Sequence, residues 1–353
     1  MASPSSVDVM RLTPQAIPEW PLPRDRQPEH LAHAPEWASV IGRAYGHAPL
    51  YLAAEDRAGQ RGLLPAFIVR RPIVGPVVTS MPFLDGGGPS GSSDLVEPLV
   101  RRLLDEAGRA GARHVELRCS HKLTIATAAP MEHKVNMVLG LPSNPDLVWQ
   151  KIDRAARSQI RKAERSGLSV DVGGADYVDT FYSIFTSRMR ELGSPVHAKA
   201  FFTATVDGFG DRARVALVRK GSLPIGGLIA LATDNALTVP WASCLSEHLS
   251  LCPNMLLYWE TIRTACRDGF GRFDFGRSTR GSGTYKFKRQ WGAQEQPLFW
   301  YTIPVKPNTQ PRAEAAQSPS LDGGLSTFVH LWRHLPLSLT RVMGPRVRKY
   351  LIQ

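Results

Sequence analysis

The chain has 353 residues, enough for two domains of ordinary size, and its 43% hydrophobic and 21% charged residues are typical of a globular protein. These proportions exclude a collagen-like, disordered or coiled-coil chain. The longest apolar stretch, residues 223–232, contains Pro224 and two glycines and is far shorter than the roughly 20 residues of a membrane-spanning helix. The N-terminus contains Asp8 and lacks an apolar core, so we expect a cytoplasmic protein without a secretory signal.

The cysteines and the charge indicate which ligands the chain could bind. The four cysteines show neither C-x-x-C spacing nor accompanying histidines at zinc-ligand spacing, so we expect reduced thiols and no metal site. The net charge of +12 divides into +1 over residues 1–145, +6 over 146–305 and +5 over 306–353. Arginine outnumbers lysine 33 to 10, which reflects either a GC-rich genome or bidentate recognition of phosphate or carboxylate.

Hydrophobic periodicity and turn signals predict helices that alternate with strands. In the first half we expect helices at residues 35–46 and 94–110 and strands at 50–54, 62–70, 76–80, 114–119 and 134–139. In the second half we expect one long helix over 145–166, then helices at 176–192, 201–208, 254–268 and 284–291. The accompanying strands are predicted at 213–219, 226–233, 236–243, 273–276 and 298–303. This order indicates an α/β (α+β) fold built on a mixed sheet.

The helix predicted over 145–166 is strongly basic. Arg154, Arg161 and Arg165 follow one another at helical spacing with Ser158 between them, and Arg157 lies beside this stripe. Two interpretations stay open: a solvated outer face, or a surface that binds the phosphates of a nucleotide-linked, lipid-linked or tRNA substrate. Aromatic residues are not interleaved as in single-strand binders, and no DNA partner is expected.

Residues 273–292, FDFGRSTRGSGTYKFKRQWG, form a second informative stretch. A short strand brings Asp274 and Arg277 to its end, and a glycine-rich turn follows, which is either a flexible loop or a weak phosphate-binding signal. Lys286 and Lys288 stand two residues apart, so a helix would point them in different directions and one of them could point inward.

A third stretch, MRELGSPVHAKAFF, places His197 in a loop between helices, where it is either structural or an acid, base or hydrogen-bond donor. Trp241 ends a predicted strand and Asn254 opens the following helix. The R/Q-x-x-G-x-G/A turn with which GNAT acetyltransferases usually hold coenzyme A does not precede Asn254.

These stretches, together with DRAARSQIRKAERSGL and LCPNMLLYWE, resemble the FemAB family over residues 15–305. The resemblance is strongest to the FemAB-like branch associated with exosortase (PEP-CTERM) and exopolysaccharide loci. It implies two tandem GNAT-like domains, each a mixed sheet flanked by helices, at residues 15–142 and 143–305, the second being catalytic. A linker and a short helical tail follow at 306–353.

The resemblance also implies an activity, because Fem-type members transfer an amino acid from aminoacyl-tRNA to the amine of a peptidoglycan precursor. We therefore expect an acyl- or aminoacyltransferase that forms an amide bond on an amine-bearing cell-envelope or exopolysaccharide precursor. A Phe-Lys pair at the reaction centre of such members matches Phe287 and Lys288. Lys288 would stabilise developing negative charge, the Phe287 carbonyl would orient the amine, and Asp274 or His197 would handle protons. The predicted substrate-binding residues are Arg154, Arg157, Arg161, Arg188, Trp241, Asn254, Arg277, Ser278, Tyr285 and Lys286.

The donor stays open between aminoacyl-tRNA and acyl-CoA, and no tightly bound cofactor is expected. The chain lacks the long helical arm that has been linked to tRNA contact in some Fem proteins. The expected acceptor is a phosphate-bearing nucleotide- or lipid-linked saccharide or peptide precursor. Two other functions remain open: a CoA-dependent GNAT N-acyltransferase of a sugar amine, and a non-catalytic component of the exopolysaccharide or exosortase machinery.

Residues 325–353 combine apolar and basic side chains without an acidic one. Pro336 and Pro345 predict two short helices rather than one long helix. These helices either dock on the second domain or lie on the anionic inner face of the membrane, where the protein would meet a lipid-linked acceptor.

Overall fold

The computed structural model describes residues 7–20, 31–72, 74–125, 128–306 and 324–352. The chain divides into two compact units. Unit one comprises Met1–His133, Pro297–Ser320 and Tyr350–Gln353, and unit two comprises Lys134–Gln296 and Leu321–Lys349. The sequence-based boundary at 142/143 lies inside unit two, and the residues expected to form a separate tail are shared between the two units.

Unit one is a mixed sheet whose described strands follow the order β1-β2-β3-β4-β5-β12. The β4–β5 pair is parallel and the other pairs are antiparallel. Apolar residues of β2, β3, β5 and the amphipathic helix α2 form its core. The elements are β1 (Asp8–Arg11), α1 (Glu36–Tyr45), β2 (Ala48–Glu55), β3 (Arg61–Arg71), β4 (Gly75–Thr79), α2 (Ser93–Arg109), β5 (His114–Cys119) and β12 (Gln294–Pro304).

In unit two the strands follow the order β6-β11-β10-β9-β8-β7, and among the described pairs only β10–β11 is parallel. Its strands are β6 (Met131–Gly140), β7 (Leu168–Gly173), β8 (Ala213–Lys220), β9 (Leu223–Ala232), β10 (Ala236–Cys244) and β11 (Arg272–Thr279). Its helices are α3 (Pro145–Lys151), α4 (Arg154–Arg165), α5 (Val178–Glu191), α6 (Lys199–Phe209), α7 (Pro253–Arg267), α8 (Gly283–Arg289), α9 (Gly324–His334) and α10 (Leu337–Arg348). The α/β class and the mixed sheets predicted from the sequence are confirmed.

Helices cover both faces of the unit-two sheet. Helices α4 and α7 pack on one face and share its apolar core with residues of β6, β8, β10 and β11. Helix α5 packs against β9 and β10 on the other face, where a Cβ on Gly227 would meet Phe181 at 3.3 Å. An aromatic cluster on that face joins α5 and α6 to the sheet through Phe185, Phe202 and Trp241.

The single long helix predicted over 145–166 is wrong, because the chain breaks between α3 and α4. Ile152 has an extended backbone, with φ −69° and ψ 153°, and the N–H of Asp153 donates to the carbonyl of Gln290 at 2.9 Å. The Arg157 guanidinium donates to the carbonyls of Trp149, Gln150 and Ile152 at 3.1, 3.2 and 2.6 Å. These bonds satisfy carbonyls that end α3, so the break is stable.

The two tail helices predicted from the sequence are present and dock on unit two. Pro336 separates α9 from α10, whereas Pro345 lies inside α10 and does not end it. Trp332 is buried, and both helices pack against α5. Of the helices in the described residues, none combines the length and the apolar character required to cross a bilayer.

Candidate functional site

The sheet of unit two is interrupted between two neighbouring strands. Residues Ala236 to Thr238 of β10 pair with Arg272 to Asp274 of β11, and both strands continue beyond this register. The pairing of β10 with β9 shifts after Thr238, and the pairing of β11 with β6 shifts after Asp274. Because such irregularities bend a strand, the two strands leave a gap in the sheet beyond Thr238 and Asp274.

Asp274 stands where this gap begins, and its carboxylate is held in place. The side chain of Asn136 donates to Oδ2 at 2.8 Å, and the backbone N–H of Gly276 donates to Oδ1 at 2.7 Å. Burial raises the pKa of Asp274, while the Asn136 hydrogen bond, the Gly276 hydrogen bond and the charge of Lys288 oppose this shift. A fixed carboxyl group with raised proton affinity has the properties of a general base.

Lys288 is 7% exposed and reaches the same segment of β11 from helix α8. Its Nζ donates to the carbonyls of Gly276 and Arg277 at 2.9 and 2.8 Å. Lys286, on the same helix, is exposed. The prediction that one of the two lysines points inward is therefore confirmed, and Lys288 is that residue.

The residues around Lys288 belong to a short helix with its own polar contacts. Helix α8 begins at an N-cap, Ser282, whose side chain accepts from the Tyr285 N–H at 3.2 Å. The Phe287 ring packs against Tyr258, with 5.1 Å between ring centroids. The Tyr285 hydroxyl donates to Glu295, and this hydrogen bond raises the pKa of Tyr285 and lowers that of Glu295. Tyr285 and Phe287 thus hold α8 against its surroundings.

Two serine hydroxyls lie on the strands that border the gap. Ser243 of β10 and Ser278 of β11 are buried, and neither Oγ has a hydrogen-bond partner within the described part of the chain. A buried hydroxyl without a partner is costly, so each is a candidate to bind a ligand. Sequence analysis selected Ser278 but missed Ser243 and Asn136, because a single polar residue in a strand carries no pattern signal.

His197 belongs to a different environment, beneath the tail. Its ring stacks on Phe201 with 4.7 Å between centroids, and its Nε2 accepts from Nε of Arg348 at 3.1 Å. Burial and the charge of Arg348 hold the pKa of His197 well below its usual range, so the imidazole is neutral. Trp241 packs edge-on against the same aromatic residues. The structure thus groups His197 and Trp241 with the tail contact, whereas Asp274 and Lys288 share the irregular segment of β11.

The predicted arginine surface divides into exposed and engaged residues. Arg154 and Arg161 are exposed, and Arg161 lies over the Trp149 ring at 5.5 Å. Arg157 is half-buried and is occupied by the carbonyls at the end of α3. Arg188, on α5, pairs with Glu191 at 2.8 Å. Arg154 and Arg161 therefore present their charges to solvent more openly than Arg157 does.

The remaining predicted substrate residues, Asn254 and Arg277, lie on α7 and β11. Asn254 is half-buried in the first turn of α7, after Cys252, whose φ is +59°. Arg277 is half-buried within the segment that Lys288 binds.

Comparisons with known proteins agree with this architecture. Residues 150–289, which contain β7 to β11 and the Asp274–Lys288 segment, match the family model described as an acetyltransferase (GNAT) domain. This part of the chain is a GNAT-like domain. Among proteins with curated annotation, none matches this chain significantly in sequence.

Solved structures extend the similarity to both units. FemX, a FemAB-family member, superposes with a TM-score of 0.65 at 13% identity, over 84% of this chain and 97% of that chain. The tandem GNAT protein from the clavulanic acid biosynthesis pathway gives 0.53 at 10% identity, over 86% and 100%. The C-terminal domain of a putative lysylphosphatidylglycerol synthetase from Agrobacterium fabrum gives 0.54 at 13% identity, over 79% and 89%. The expected tandem GNAT-like fold is confirmed, while membership of the exosortase-associated branch stays a prediction.

Proposed function

We propose that this GNAT-fold protein is an acyl- or aminoacyltransferase that forms an amide bond on an amine-bearing cell-envelope or exopolysaccharide precursor. The observation that carries the proposal is the Asp274 carboxyl group, whose pKa burial raises and which lies at the gap between β10 and β11. In this proposal the acyl donor and the amine meet at that gap.

The reaction needs an unprotonated amine, and Asp274 supplies the base. The neutral amine nitrogen attacks the acyl carbon to form a C–N bond, and the Asp274 carboxylate takes the proton that this nitrogen gives up as the bond forms. The tetrahedral intermediate collapses by breaking the bond between the acyl carbon and the donor oxygen or sulfur. Protonated Asp274 returns its proton to that leaving atom. The hydroxyls of Ser243 and Ser278 are the candidate donors to the oxyanion, since both are buried and unpaired in the described structure.

Lys288 has a positioning role in this scheme. Its ammonium group binds the carbonyls on the C-terminal side of Asp274, and its charge favours the ionised carboxylate. This differs from direct stabilisation of the developing negative charge, the role expected from the sequence, because two of its hydrogen bonds go to backbone. Phe287 holds the helix that carries Lys288 through its packing on Tyr258.

Two observations support the proposed class of acceptor: the exposed positive charge of helix α4 and the similarity to Fem-type proteins. Arg154 and Arg161 provide exposed positive charge for the phosphates of a nucleotide- or lipid-linked precursor. The Fem-type resemblance supports a cell-envelope precursor. One protein of similar fold is described as a putative lysylphosphatidylglycerol synthetase.

For the donor, the segment between β10 and α7 favours an aminoacyl ester. Its residues 245–252 contain no glycine, and a 3-10 helix, Ser246–Leu251, occupies most of it. A glycine-rich turn that exposes N–H groups to a pyrophosphate is therefore lacking. The second candidate is CoA-dependent N-acylation of a sugar amine, which the match of residues 150–289 to an acetyltransferase model favours.

The function is tested by comparing nucleotide- and lipid-linked precursors in cells that carry the native chain or Asp274→Asn. Mass spectrometry should show precursors that lack one aminoacyl or acyl group in the variant strain, and the mass difference identifies the group. Identical precursor pools in the two strains, with equal amounts of folded protein, would contradict the proposal.

A further inference from the structure

One face of the tail helix α10 is apolar and points to solvent. Leu339, Val342 and Met343 are 41%, 54% and 38% exposed, and they recur with Arg346 at the spacing of a single helix face. Buried Thr340 and Gly344 occupy the opposite side. Helix α10 therefore docks on unit two through one side and presents an apolar side outward.

Helix α9 has the same division. Trp332 is buried, whereas its neighbour Leu331 is 61% exposed. His334, three residues further along, is exposed on the same side. We call the set Leu331, Leu339, Val342, Met343 and Arg346 the outer tail surface.

The positive charge of the tail indicates what the outer tail surface binds. Residues 324–352 contain five arginine or lysine side chains and no acidic residue. Arg341 is hydrogen-bonded to Ser183 and Arg348 to His197, whereas Arg346 is exposed beside the apolar residues of α10. A two-fold contact between copies would bring these like charges together, which disfavours a second copy. Apolar side chains flanked by arginine match the boundary of a bilayer with anionic headgroups.

We propose that the outer tail surface binds an anionic membrane, with Leu331, Leu339, Val342 and Met343 inserted at the headgroup boundary and Arg346 on the headgroups. The proposal is independent of the reaction above. The sequence left docking and membrane binding open for the tail. In this proposal each belongs to one side of the tail: the buried side docks on unit two, and the outer side binds the membrane. Truncating the tail cannot separate them, because truncation removes the docked side as well.

Substitutions on the outer side alone test the proposal. Flotation of the full chain is measured at low ionic strength with vesicles of phosphatidylcholine and phosphatidylglycerol and with vesicles of phosphatidylcholine alone. The native chain should float with the anionic vesicles, and added salt should release it. The triple variant Leu339→Ser, Val342→Ser, Met343→Ser should lose this binding and keep its melting temperature.

The control is the triple variant Leu147→Ser, Val172→Ser, Leu223→Ser, which removes equally exposed apolar side chains of α3, β7 and β9. It should bind vesicles like the native chain. Arg346→Gln should weaken binding about fivefold, the effect of one basic residue at an anionic surface, and Arg267→Gln should not.

Three results would overturn the proposal. The native chain could ignore anionic vesicles at low salt, or the outer triple variant could bind them as tightly as the native chain. Light scattering could instead show a dimer that the outer triple variant dissociates, and the surface would then be a contact between copies.

Discussion

Asp274 and Lys288 are coupled through Gly276. The Gly276 N–H donates to the Asp274 carboxylate at 2.7 Å, and the Gly276 carbonyl accepts from Lys288 Nζ at 2.9 Å. Gly276 has φ +74°, a backbone conformation that favours glycine. This residue thus joins helix α8 to the carboxylate at the point where the pairing of β11 changes register, and the position of the carboxylate depends on Lys288.

This coupling predicts the effect of Lys288→Met. The variant leaves two carbonyls of β11 without their donor, which should lower the free energy of unfolding by about 1–3 kcal/mol. Loss of the fixed carboxylate should lower turnover roughly 10²-fold or more, as for other preorganised polar groups. Arg289→Met, at an exposed position of the same helix, should change neither quantity. Denaturant unfolding measures the stability, and turnover is measured on the precursor that accumulates in the Asp274→Asn strain. Native turnover in folded Lys288→Met would show that Lys288 has no role in the site.

Asn136→Ala should shift the pH dependence of activity. The Asn136 amide donates to the ionised Asp274 carboxylate, so its removal should raise the pKa of Asp274 further. Since the base acts when ionised, the rise of kcat/KM with pH should move to higher pH. Asn144→Ala, which removes the N-cap hydrogen bond of α3, should lower stability without moving the profile. An unshifted profile for Asn136→Ala would mean that a different group is the base.

Asp274 should also make stability depend on pH. Because its pKa is higher in the folded chain than in the unfolded chain, the folded state holds the proton more tightly. This contribution is present below the ordinary carboxyl range and is lost as the pH rises through the raised pKa. Asp274→Asn should remove that part of the slope. Unfolding free energies of both proteins across the acidic to neutral range measure the difference, and parallel curves would contradict the assigned shift.

The arginines of α4 should have two different roles: Arg157 stabilises the fold, and Arg154 and Arg161 bind substrate. Arg157→Gln removes the donor to three carbonyls and should lower the melting temperature, with little change in the salt dependence of substrate binding. The double variant Arg154→Gln, Arg161→Gln should keep its melting temperature, raise KM and flatten the salt dependence. If the double variant shows the native KM and salt slope, the surface does not bind the substrate phosphates.

Gly193 tests the docking of the tail. A Cβ at Gly193 would meet Cγ1 of Val329 at 2.5 Å, and the residue has φ +73°. Gly167 has nearly the same φ, +70°, with nothing within 4 Å of its Cβ position. Both alanine variants should lose about 1–2 kcal/mol from the left-handed backbone. Gly193→Ala should lose more and release α9 to proteolysis, and equal losses would contradict the contact.

Sequence patterns predicted the fold where periodicity was strong. The helix at 94–110 and the strand at 114–119 lie within a residue or so of α2 and β5. Strand β7 was missed because it is short, mostly half-exposed and ends in two glycines. The break between α3 and α4 was missed because bonds from Asp153 to Gln290 and from Arg157 to α3 override local helix preference.

The site was only partly predictable for a similar reason. The two-residue spacing of Lys286 and Lys288 showed that one of them could point inward, and the cluster of Asp274 with Lys288 followed from one motif. Asn136 lies far from that motif in sequence and meets Asp274 only across paired strands. Burial is the larger cause of the low pKa of His197, and the charge of Arg348, which the docked tail brings to the ring, adds to it.

The most direct test of the central claim is transfer by the purified protein onto the precursor recovered from the Asp274→Asn strain. With aminoacyl-tRNA as donor, the native chain and Arg289→Met should add the missing group at equal rates, and Asp274→Asn should be slower by roughly 10² or more. The same assay with acyl-CoA in place of aminoacyl-tRNA tests the second candidate function, CoA-dependent N-acylation. Transfer by Asp274→Asn at the native rate would contradict the assignment of this carboxylate as the base of an amide-forming acyltransferase.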